Sequence, residues 1–375
     1  MAQEGLDVNL TESSKAPALI AQSNKQGVGT CLYQEWCKPL LISCEAAFGY
    51  EQVAKRIVNI RLTYDGRMDM KRAIITGATG AVGMALIQEL IEKGVEVLVF
   101  CREGSKRNQR IPSHPLVNKL FCSLEQLETI KNNTGKKYDV FYHFAWMGTT
   151  GIERNDVYLQ NKNVKYALDA VKAAKEFGCE VFVGAGSQAE YGRFEGNLNE
   201  NTPTFPENGY GIAKLCAGQM TRILCNQEGI RHIWTRILSI YGPYDGEQSM
   251  IMSTIRQLLN GERPQLTKGE QKWDYLYSKD VGQAMRLLGD KGKGDRVYCL
   301  GSGKARPLHE YVEILKSEIN KSATLGIGDI PYVPKQVMYL CADITALKED
   351  TGFSPKYSFD DGIKETITWY KKSMN

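Results

Sequence analysis

The segment 71–83, KRAIITGATGAVG, constrains the fold of this chain more than any other stretch. Its apolar, β-branched run Ala73–Ile75 is typical of a strand buried on both faces. Glycines then recur every third residue, at Gly77, Gly80 and Gly83, and apolar residues at helical spacing follow. A strand, a glycine turn and a helix together aim backbone N–H groups at an anion. The segment therefore predicts a phosphate-binding turn, although its GxxGxxG spacing differs from the GxGxxG dinucleotide fingerprint and glycines here also serve as plain turns.

Charge and composition exclude several classes of protein. The 375 residues carry a net charge of only +4, too small to indicate nucleic acid or an acidic membrane surface as partner. No apolar run approaches the ~18 residues of a membrane span, and the N-terminus lacks the pattern of a signal peptide. The ten cysteines form no CxxC pair and the four histidines lie far apart, which predicts reduced thiols and no metal site. We therefore expect a cytoplasmic protein that binds neither nucleic acid nor a membrane.

From residue 71 onward, strand and helix patterns alternate. Further buried strands are predicted at Val95–Cys101, Leu120–Cys122, Tyr138–Ala145, Glu180–Gly184 and His232–Ser239. Helices are predicted at about 81–91, 156–177 and 210–227. This alternation predicts an α/β fold, a doubly wound parallel sheet of the Rossmann type, with ligands at the carboxyl ends of the strands. Beyond residue 245 the pattern is less regular and indicates a smaller mixed α/β portion.

These patterns divide the chain into three parts. We expect a dinucleotide-binding domain at 69–245 and a mainly substrate-binding portion at 246–375. Residues 1–68 show no strand–helix alternation, and Met68 and Met70 stand just before the first strand. We interpret 1–68 as a loosely structured extension or a start codon assigned too far upstream. A small appended module or an interface arm is the alternative.

Basic residues follow the second predicted strand, which ends at Cys101. A carboxylate at this strand end is typical of NAD binding, because it accepts a hydrogen bond from the ribose 2′-hydroxyl, whereas arginine accommodates the 2′-phosphate of NADP. We therefore predict Arg102, Ser105 and Arg107 as cofactor residues and NADP as the cofactor. Glu103 is the one nearby acid and keeps NAD as the alternative; a merely solvated basic loop is the other interpretation.

Tyr210 and Lys214 form a YxxxK pair near the start of a predicted helix, so both side chains lie on one helix face. An ammonium beside a phenol favours the phenolate and is expected to lower the pKa of Tyr210 toward neutral pH. Such a phenol can exchange a proton with a carbinol oxygen. Ser187 stands at the end of the fifth strand, where its hydroxyl could bind the same oxygen. Chance YxxxK pairs are common, but the order of these three elements predicts a catalytic site.

Several motifs together make the chain resemble the extended short-chain dehydrogenase/reductase family, which comprises NAD(P)-dependent nucleotide-sugar epimerases, dehydratases and reductases. The motifs are TGATGAVG, YHFAW, GSQAEYG, YGIAK, RILSIYGP and WDYLYSKD, and the resemblance runs from about Met70 to the C-terminus. It implies a homodimer and a catalytic triad of Ser187, Tyr210 and Lys214. The implied cofactor contacts are Gly77, Thr79, Gly80, Ala81, Val82, Gly83, Ala145, Trp146, Asn163, Tyr210 and Lys214.

Departures from the family pattern narrow the expected reaction. The 4,6-dehydratases carry Asp-Glu directly after the catalytic Ser or Thr, whereas Gln188 and Ala189 stand here, which disfavours dehydration. Ser239 replaces the family's substrate-binding Asn. Trp273, preceded by Lys272, replaces the Arg that grips the substrate diphosphate, so lysines hold the diphosphate or the substrate is not a conventional nucleotide sugar.

Gln188, Glu190, Ser239, Lys272 and Trp273 are our predicted substrate contacts; a solvent-facing carboxylate is the alternative for Glu190, and a packing aromatic for Trp273. Our first hypothesis is an NADPH-dependent reductase of a 4-keto (nucleotide-)sugar, slightly preferred over an NAD-dependent 4-epimerase. A non-catalytic dinucleotide-binding sensor protein is the alternative from another class.

Overall fold

The computed structural model describes residues 69–374, and the predicted extension at 1–68 lies outside them. The strands are β1 (Arg72–Thr76), β2 (Glu96–Cys101), β3 (Val117–Phe121), β4 (Val140–His143), β5 (Val181–Ser187), β6 (Asn197–Leu198), β7 (Arg231–Ile237), β8 (Ser239–Tyr241), β9 (Gln265–Leu266), β10 (Lys272–Trp273), β11 (Tyr275–Tyr277), β12 (Arg296–Leu300), β13 (Arg306–Pro307), β14 (Gly326–Ile327) and β15 (Tyr339–Ala342). The helices are α1 (Ala81–Glu92), α2 (Val157–Glu176), α3 (Gly209–Glu228), α4 (Met250–Leu259), α5 (Ser278–Lys291), α6 (Leu308–Ile319), α7 (Thr345–Thr351) and α8 (Phe359–Met374).

Seven strands form one parallel sheet in the order β12-β7-β5-β4-β1-β2-β3. Chain order reverses between β1 and β4, which is the topological switch of a doubly wound sheet. In register, β1 pairs with β2 from Arg72↔Glu96 to Thr76↔Phe100 and with β4 from Ala73↔Val140 to Thr76↔His143. This sheet confirms the predicted fold class.

Helices cover both faces of the sheet because successive side chains of its buried strands point to opposite sides. Ile75 and Val99 face one way and pack in a cluster with Leu86 of α1 and Met285 of α5. On the other face, α2 and α3 contribute to the cover, and strand residues such as Ile74, Leu98 and Phe141 pack with Ala170 of α2, with Phe177 at the C-cap of that helix and with Cys225 of α3.

The C-terminal part of the chain contributes to two regions. Helix α5 and strand β12 belong to the main sheet and its cover, although they lie within 246–375. Helices α4, α6 and α8 share a separate cluster that includes Ile255, Leu315 and Phe359. A four-stranded sheet, β13-β10-β15-β6, and the pairs β11-β8 and β14-β9 complete this region. The division at residue 245 stays a prediction, and the chain returns to the main sheet after it.

The carboxyl ends of the central strands place the residues of interest along one edge. Strand β1 leads into the glycine turn, β2 into the basic segment, β4 into the turn at Ala145 and β5 ends at Ser187.

No helix among residues 69–374 is long and apolar enough to cross a membrane.

Candidate active site

Two glycines of the first turn are required by close backbone approach. Gly77 has a φ of +71°, and a Cβ there would lie 2.5 Å from the Ala145 nitrogen. A Cβ on Gly83 would lie 2.5 Å from Cα of Ala78, where α1 packs on the turn. By contrast, the nearest atom to a Cβ on Gly80 would be 3.8 Å away, an ordinary contact. A Cβ at Gly80 would therefore fit without displacing any neighbouring atom of the protein.

The N-terminus of α1 fits a phosphate group. Gly80 is its N-cap residue and offers no side-chain hydrogen bond, and the first turn contains no acidic residue. The free N–H groups and the positive end of the helix dipole are therefore left for an external anion. That this anion is a dinucleotide pyrophosphate stays a prediction.

Two adjoining cavities open at this edge of the sheet. The larger, of about 670 Å³, is lined by the glycine turn, the end of β5, the start of α3 and the segment after β8. The smaller, of about 360 Å³, lies between the ends of β1, β2 and β3 and the segment after β4. Of the predicted cofactor residues, the larger cavity contacts Ala81, Val82, Gly83, Tyr210 and Lys214, the smaller contacts Thr79, Arg102, Ser105 and Ala145, and both contact Gly77, Gly80, Arg107 and Trp146.

The smaller cavity combines basic and acidic groups. Arg102, Ser105 and Arg107 line it as predicted, whereas Glu103 is not among the described residues at its wall. Glu125, which the sequence reasoning missed, lines it from the turn after β3. Hydrogen bonds from its own backbone and from Ser123 hold the pKa of Glu125 below its ordinary value. The cavity therefore offers both a guanidinium and a carboxylate to a bound nucleotide.

Ser187, Tyr210 and Lys214 line the larger cavity together. Ser187 is the last residue of β5, and its N–H donates to Oε1 of Glu190 at 2.8 Å. Asn208 caps α3 by accepting from the Gly211 N–H at 2.9 Å, which starts the helix just before Tyr210. One turn later, Nζ of Lys214 donates to the Ala185 carbonyl at 2.5 Å.

The pKa of Tyr210 differs from the expectation based on the sequence. Burial lowers the pKa of Lys214 to about 7, with Glu190 opposing the shift. The expected lowering of the Tyr210 pKa is wrong for the protein alone. Burial raises the pKa of Tyr210, since a phenolate loses hydration there, and hydrogen bonding to Ser187 only opposes this shift. Nζ of Lys214 lies 5.8 Å from the Tyr210 ring centroid but 3.8 Å from that of Trp146.

Asn163 requires a correction, because it supports a cavity wall rather than forming one. Its side chain is buried, accepts from the Met147 N–H at 3.0 Å and donates to the Met147 carbonyl at 2.9 Å. Neither cavity is lined by it. It fixes the segment after β4, on which Ala145 and Trp146 contact the cavities.

Glu190 is a second correction, because it is neither a substrate contact nor solvent-facing. The residue is 0% exposed. Its carboxylate accepts from Nε of Arg236 at 2.7 Å and from Nε1 of Trp234 at 3.0 Å, besides the Ser187 N–H. Burial raises the pKa of Glu190, and the Arg236 guanidinium opposes that shift. Glu190 is thus an internal anchor of the turn that carries Ser187.

The remaining predicted substrate residues do not line either cavity, although Gln188 and Ser239 are next in sequence to residues that do. Trp273 donates from Nε1 to the Ser239 hydroxyl at 2.6 Å, so these two side chains satisfy each other. Lys272 is exposed on β10, and Gln188 follows Ser187 in a short 3₁₀ turn. None of the four is among the described residues at either wall.

Other residues line the larger cavity in their place. They are Thr149 and Thr150 after β4, Ile240 within the RILSIYGP motif, and the run Tyr244–Gln248 after β8. Their only signal in the sequence is their position just beyond strand ends. Among residues 69–374, no group of three or more His, Cys, Asp or Glu is placed to hold a metal ion.

Comparison with known proteins agrees with this geometry. Residues 73–301 match the sequence model of the NAD-dependent epimerase/dehydratase family. The chain belongs to this family. That membership confirms the predicted resemblance and identifies an NAD(P)-dependent enzyme.

Relatives in this family carry out different reactions. The dTDP-4-dehydro-6-deoxyglucose reductase of Escherichia coli is 26% identical over 321 residues, covering 80% of this chain and 98% of the relative. The dTDP-glucose 4,6-dehydratase of Streptomyces niveus is also 26% identical, over 330 residues, covering 80% and 93%. A UDP-glucose 4-epimerase structure from Thermotoga maritima matches with a TM-score of 0.71 at 23% identity, covering 81% of this chain and 100% of that one. These similarities establish family and fold, and not the individual reaction.

Proposed function

We propose that this enzyme is an NADPH-dependent reductase of a 4-keto sugar, carried as a nucleotide sugar. The observation that carries the proposal is one cavity that joins an anion-binding glycine turn to Ser187, Tyr210 and Lys214. Arg102 and Arg107 line the adjoining cavity, and guanidinium groups suit a 2′-phosphate.

The chemistry assigns one task to each residue of the triad. When bound, the dinucleotide supplies the hydride that adds to the carbonyl carbon. The Tyr210 hydroxyl donates its proton to the carbonyl oxygen, so that the C=O group becomes an alcohol. Ser187 donates a hydrogen bond to the same oxygen and holds it near Tyr210. Lys214 is buried and lines the same cavity, and when it is protonated its positive charge stabilises the phenolate.

A titration with both reduced cofactors tests the preference for NADPH. We expect Arg102→Gln and Arg107→Gln to raise the Kd for NADPH about tenfold or more, from the loss of a charge-assisted phosphate contact, while the Kd for NADH is unchanged. Lys106→Gln is the matched control, because Lys106 belongs to the same basic segment and lines neither cavity. Equal loss of NADH and NADPH affinity would contradict the phosphate-binding role.

An NAD-dependent 4-epimerase is the second candidate, and Glu125 is the observation that favours it. A carboxylate at the wall of the smaller cavity is suited to a ribose 2′-hydroxyl. Denaturing the purified protein and identifying any released dinucleotide by mass spectrometry separates the two. Retained NAD supports the epimerase, whereas an empty protein that prefers NADPH supports the reductase.

Replacement of the catalytic phenol tests turnover itself. Tyr210→Phe removes the transferred proton and is expected to abolish turnover while NADPH binding stays near normal. Undiminished turnover in Tyr210→Phe would refute the proton-transfer role. A non-catalytic sensor would bind dinucleotide but reduce none of the 4-keto nucleotide sugars offered to the unmodified protein.

We further propose a homodimer that forms through α2 and α3. Exposed apolar side chains on these helices support it: Val157, Tyr158, Ile212, Met220 and Ile223. Light scattering after size-exclusion chromatography should give twice the chain mass, and Ile223→Asp should give the monomer.

A cytoplasmic location remains part of the proposal, supported by described cysteines that are all free thiols.

A further inference from the structure

The cation nearest to the face of the Tyr210 ring is Arg154, which neither the sequence reasoning nor the proposed triad uses. Its guanidinium carbon lies 4.3 Å from the ring centroid, against 5.8 Å for Nζ of Lys214. Lys214 is committed elsewhere, since it donates to the Ala185 carbonyl and lies over the Trp146 ring. Arg154 therefore makes the closer cation–π contact with the phenol.

Contacts at both ends of its turn hold Arg154 in this place. Arg154 belongs to the 3₁₀ turn Gly151–Asn155 and donates from Nη1 to the Thr149 carbonyl at 2.9 Å. The next residue, Asn155, accepts from the N–H of Gly209, the first residue of α3, at 3.0 Å. A Cβ on Gly209 would lie 3.0 Å from the Arg154 carbonyl oxygen, so turn and helix are closely packed. The guanidinium is thus fixed beside the residue that follows Gly209, which is Tyr210.

We propose that Arg154 is a positioning residue for Tyr210, which orients the phenol ring and stabilises its phenolate form by charge. The proposal rests on the function proposed above, because that function gives Tyr210 its proton-transfer role. Besides Arg154, two charged groups act on the phenol: Lys214 from the same helix, with Nζ 5.8 Å from the ring centroid, and the buried Glu190 from the turn after β5, by its charge. Burial raises the pKa of Tyr210 and Glu190 adds to this, whereas Arg154 lowers it.

A direct titration of the phenol tests the proposal without any substrate. The full chain carries 3-fluorotyrosine at position 210, and its ionisation is followed by ¹⁹F NMR with and without saturating NADP⁺. Arg154→Met should raise the pKa at position 210 by about one unit, which is a tenfold smaller phenolate fraction at fixed pH. Arg154→Lys should give an intermediate value. Arg222→Met is the matched control, because it removes an arginine from the exposed face of α3 and should leave the titration unchanged.

The outcomes separate a charge effect from a structural one. An unchanged titration in Arg154→Met with normal NADPH affinity would overturn the proposal. If Arg154→Met does not fold, Arg154→Gln, which is also neutral, decides: a raised pKa at position 210 supports the proposal, and a titration equal to that of the unmodified protein overturns it. Failure of the reductase assignment appears elsewhere, in the cofactor released on denaturation and in the Tyr210→Phe assay, so the two results are distinguishable.

Discussion

Replacing Glu190 by Gln tests the assignment of this residue as an internal anchor. The carboxylate is fully buried and accepts from the Ser187 N–H, the Trp234 indole and the Arg236 guanidinium. Every one of these partners is a donor. A glutamine keeps the shape but turns an NH₂ group toward a donor in either orientation. It also leaves the Arg236 charge buried, and Nη1 of that arginine already has no hydrogen-bond partner.

The expected cost follows from breaking one side of a buried pair. Arg236 is 4% exposed and Glu190 is 0% exposed, so in the variant water cannot solvate the guanidinium that has lost its carboxylate partner. Loss of one partner of such a pair costs about 3–5 kcal/mol in the free energy of unfolding. We expect Glu190→Gln to fold with a Tm several degrees lower, and its kcat to fall because the turn holding Ser187 is loosened.

Urea unfolding of the unmodified protein and three variants provides the measurement. The matched control is Glu207→Gln, because Glu207 forms a bidentate pair with Arg193 at the surface and should change the midpoint little. Removing both buried charges, Glu190→Leu with Arg236→Met, should cost less than Glu190→Gln alone, since no unpaired charge remains. If Glu190→Gln unfolds at the same urea concentration as the unmodified protein, the anchor assignment is wrong.

Two further predictions concern the glycine turn and acid stability. Gly83→Ala should lower the free energy of unfolding by about 1–3 kcal/mol because its Cβ meets the Ala78 backbone. Gly80→Ala should leave the free energy of unfolding unchanged and weaken NADPH binding. Urea unfolding and cofactor titration of both variants check this prediction, and equal effects of the two variants would contradict it. Burial lowers the pKa of His143 to about 3 and of His232 to about 4, so both stay neutral when folded. Their contribution to stability is complete above the ordinary value of about 6.5 and is lost as the pH falls below it, at about 2 kcal/mol each by pH 5. Urea unfolding at pH 7.5 and 5 measures the loss, which should be smaller in His232→Gln.

The fold was predictable because its signals are local in sequence. A buried parallel strand is an apolar run, and a phosphate-binding turn needs glycines where Cβ atoms would meet neighbouring backbone, as at Gly77 and Gly83. The meeting of Ser187, Tyr210 and Lys214 at one cavity was predictable for a similar reason, since Ser187 ends a strand and Tyr210 and Lys214 share one helix face. Strand β12 lies in the part of the chain where the pattern is less regular, and its place beside β7 depends on pairing between distant segments.

The substrate residues could not be predicted because side-chain direction is set by long-range partners. Glu190 follows Ser187 so closely that a role in the cavity was a reasonable prediction, yet its carboxylate pairs in the interior with Arg236 of the neighbouring strand β7. Likewise, the side chains of Ser239 on β8 and Trp273 on β10 form a hydrogen bond with each other. The same principle explains Arg154, which has no motif to mark it and reaches Tyr210 only because its turn packs against the start of α3. The ends of strands and helices bring residues to the edge of the sheet where the cavities open. Whether a side chain there faces a cavity depends on its partners, which come from distant parts of the sequence.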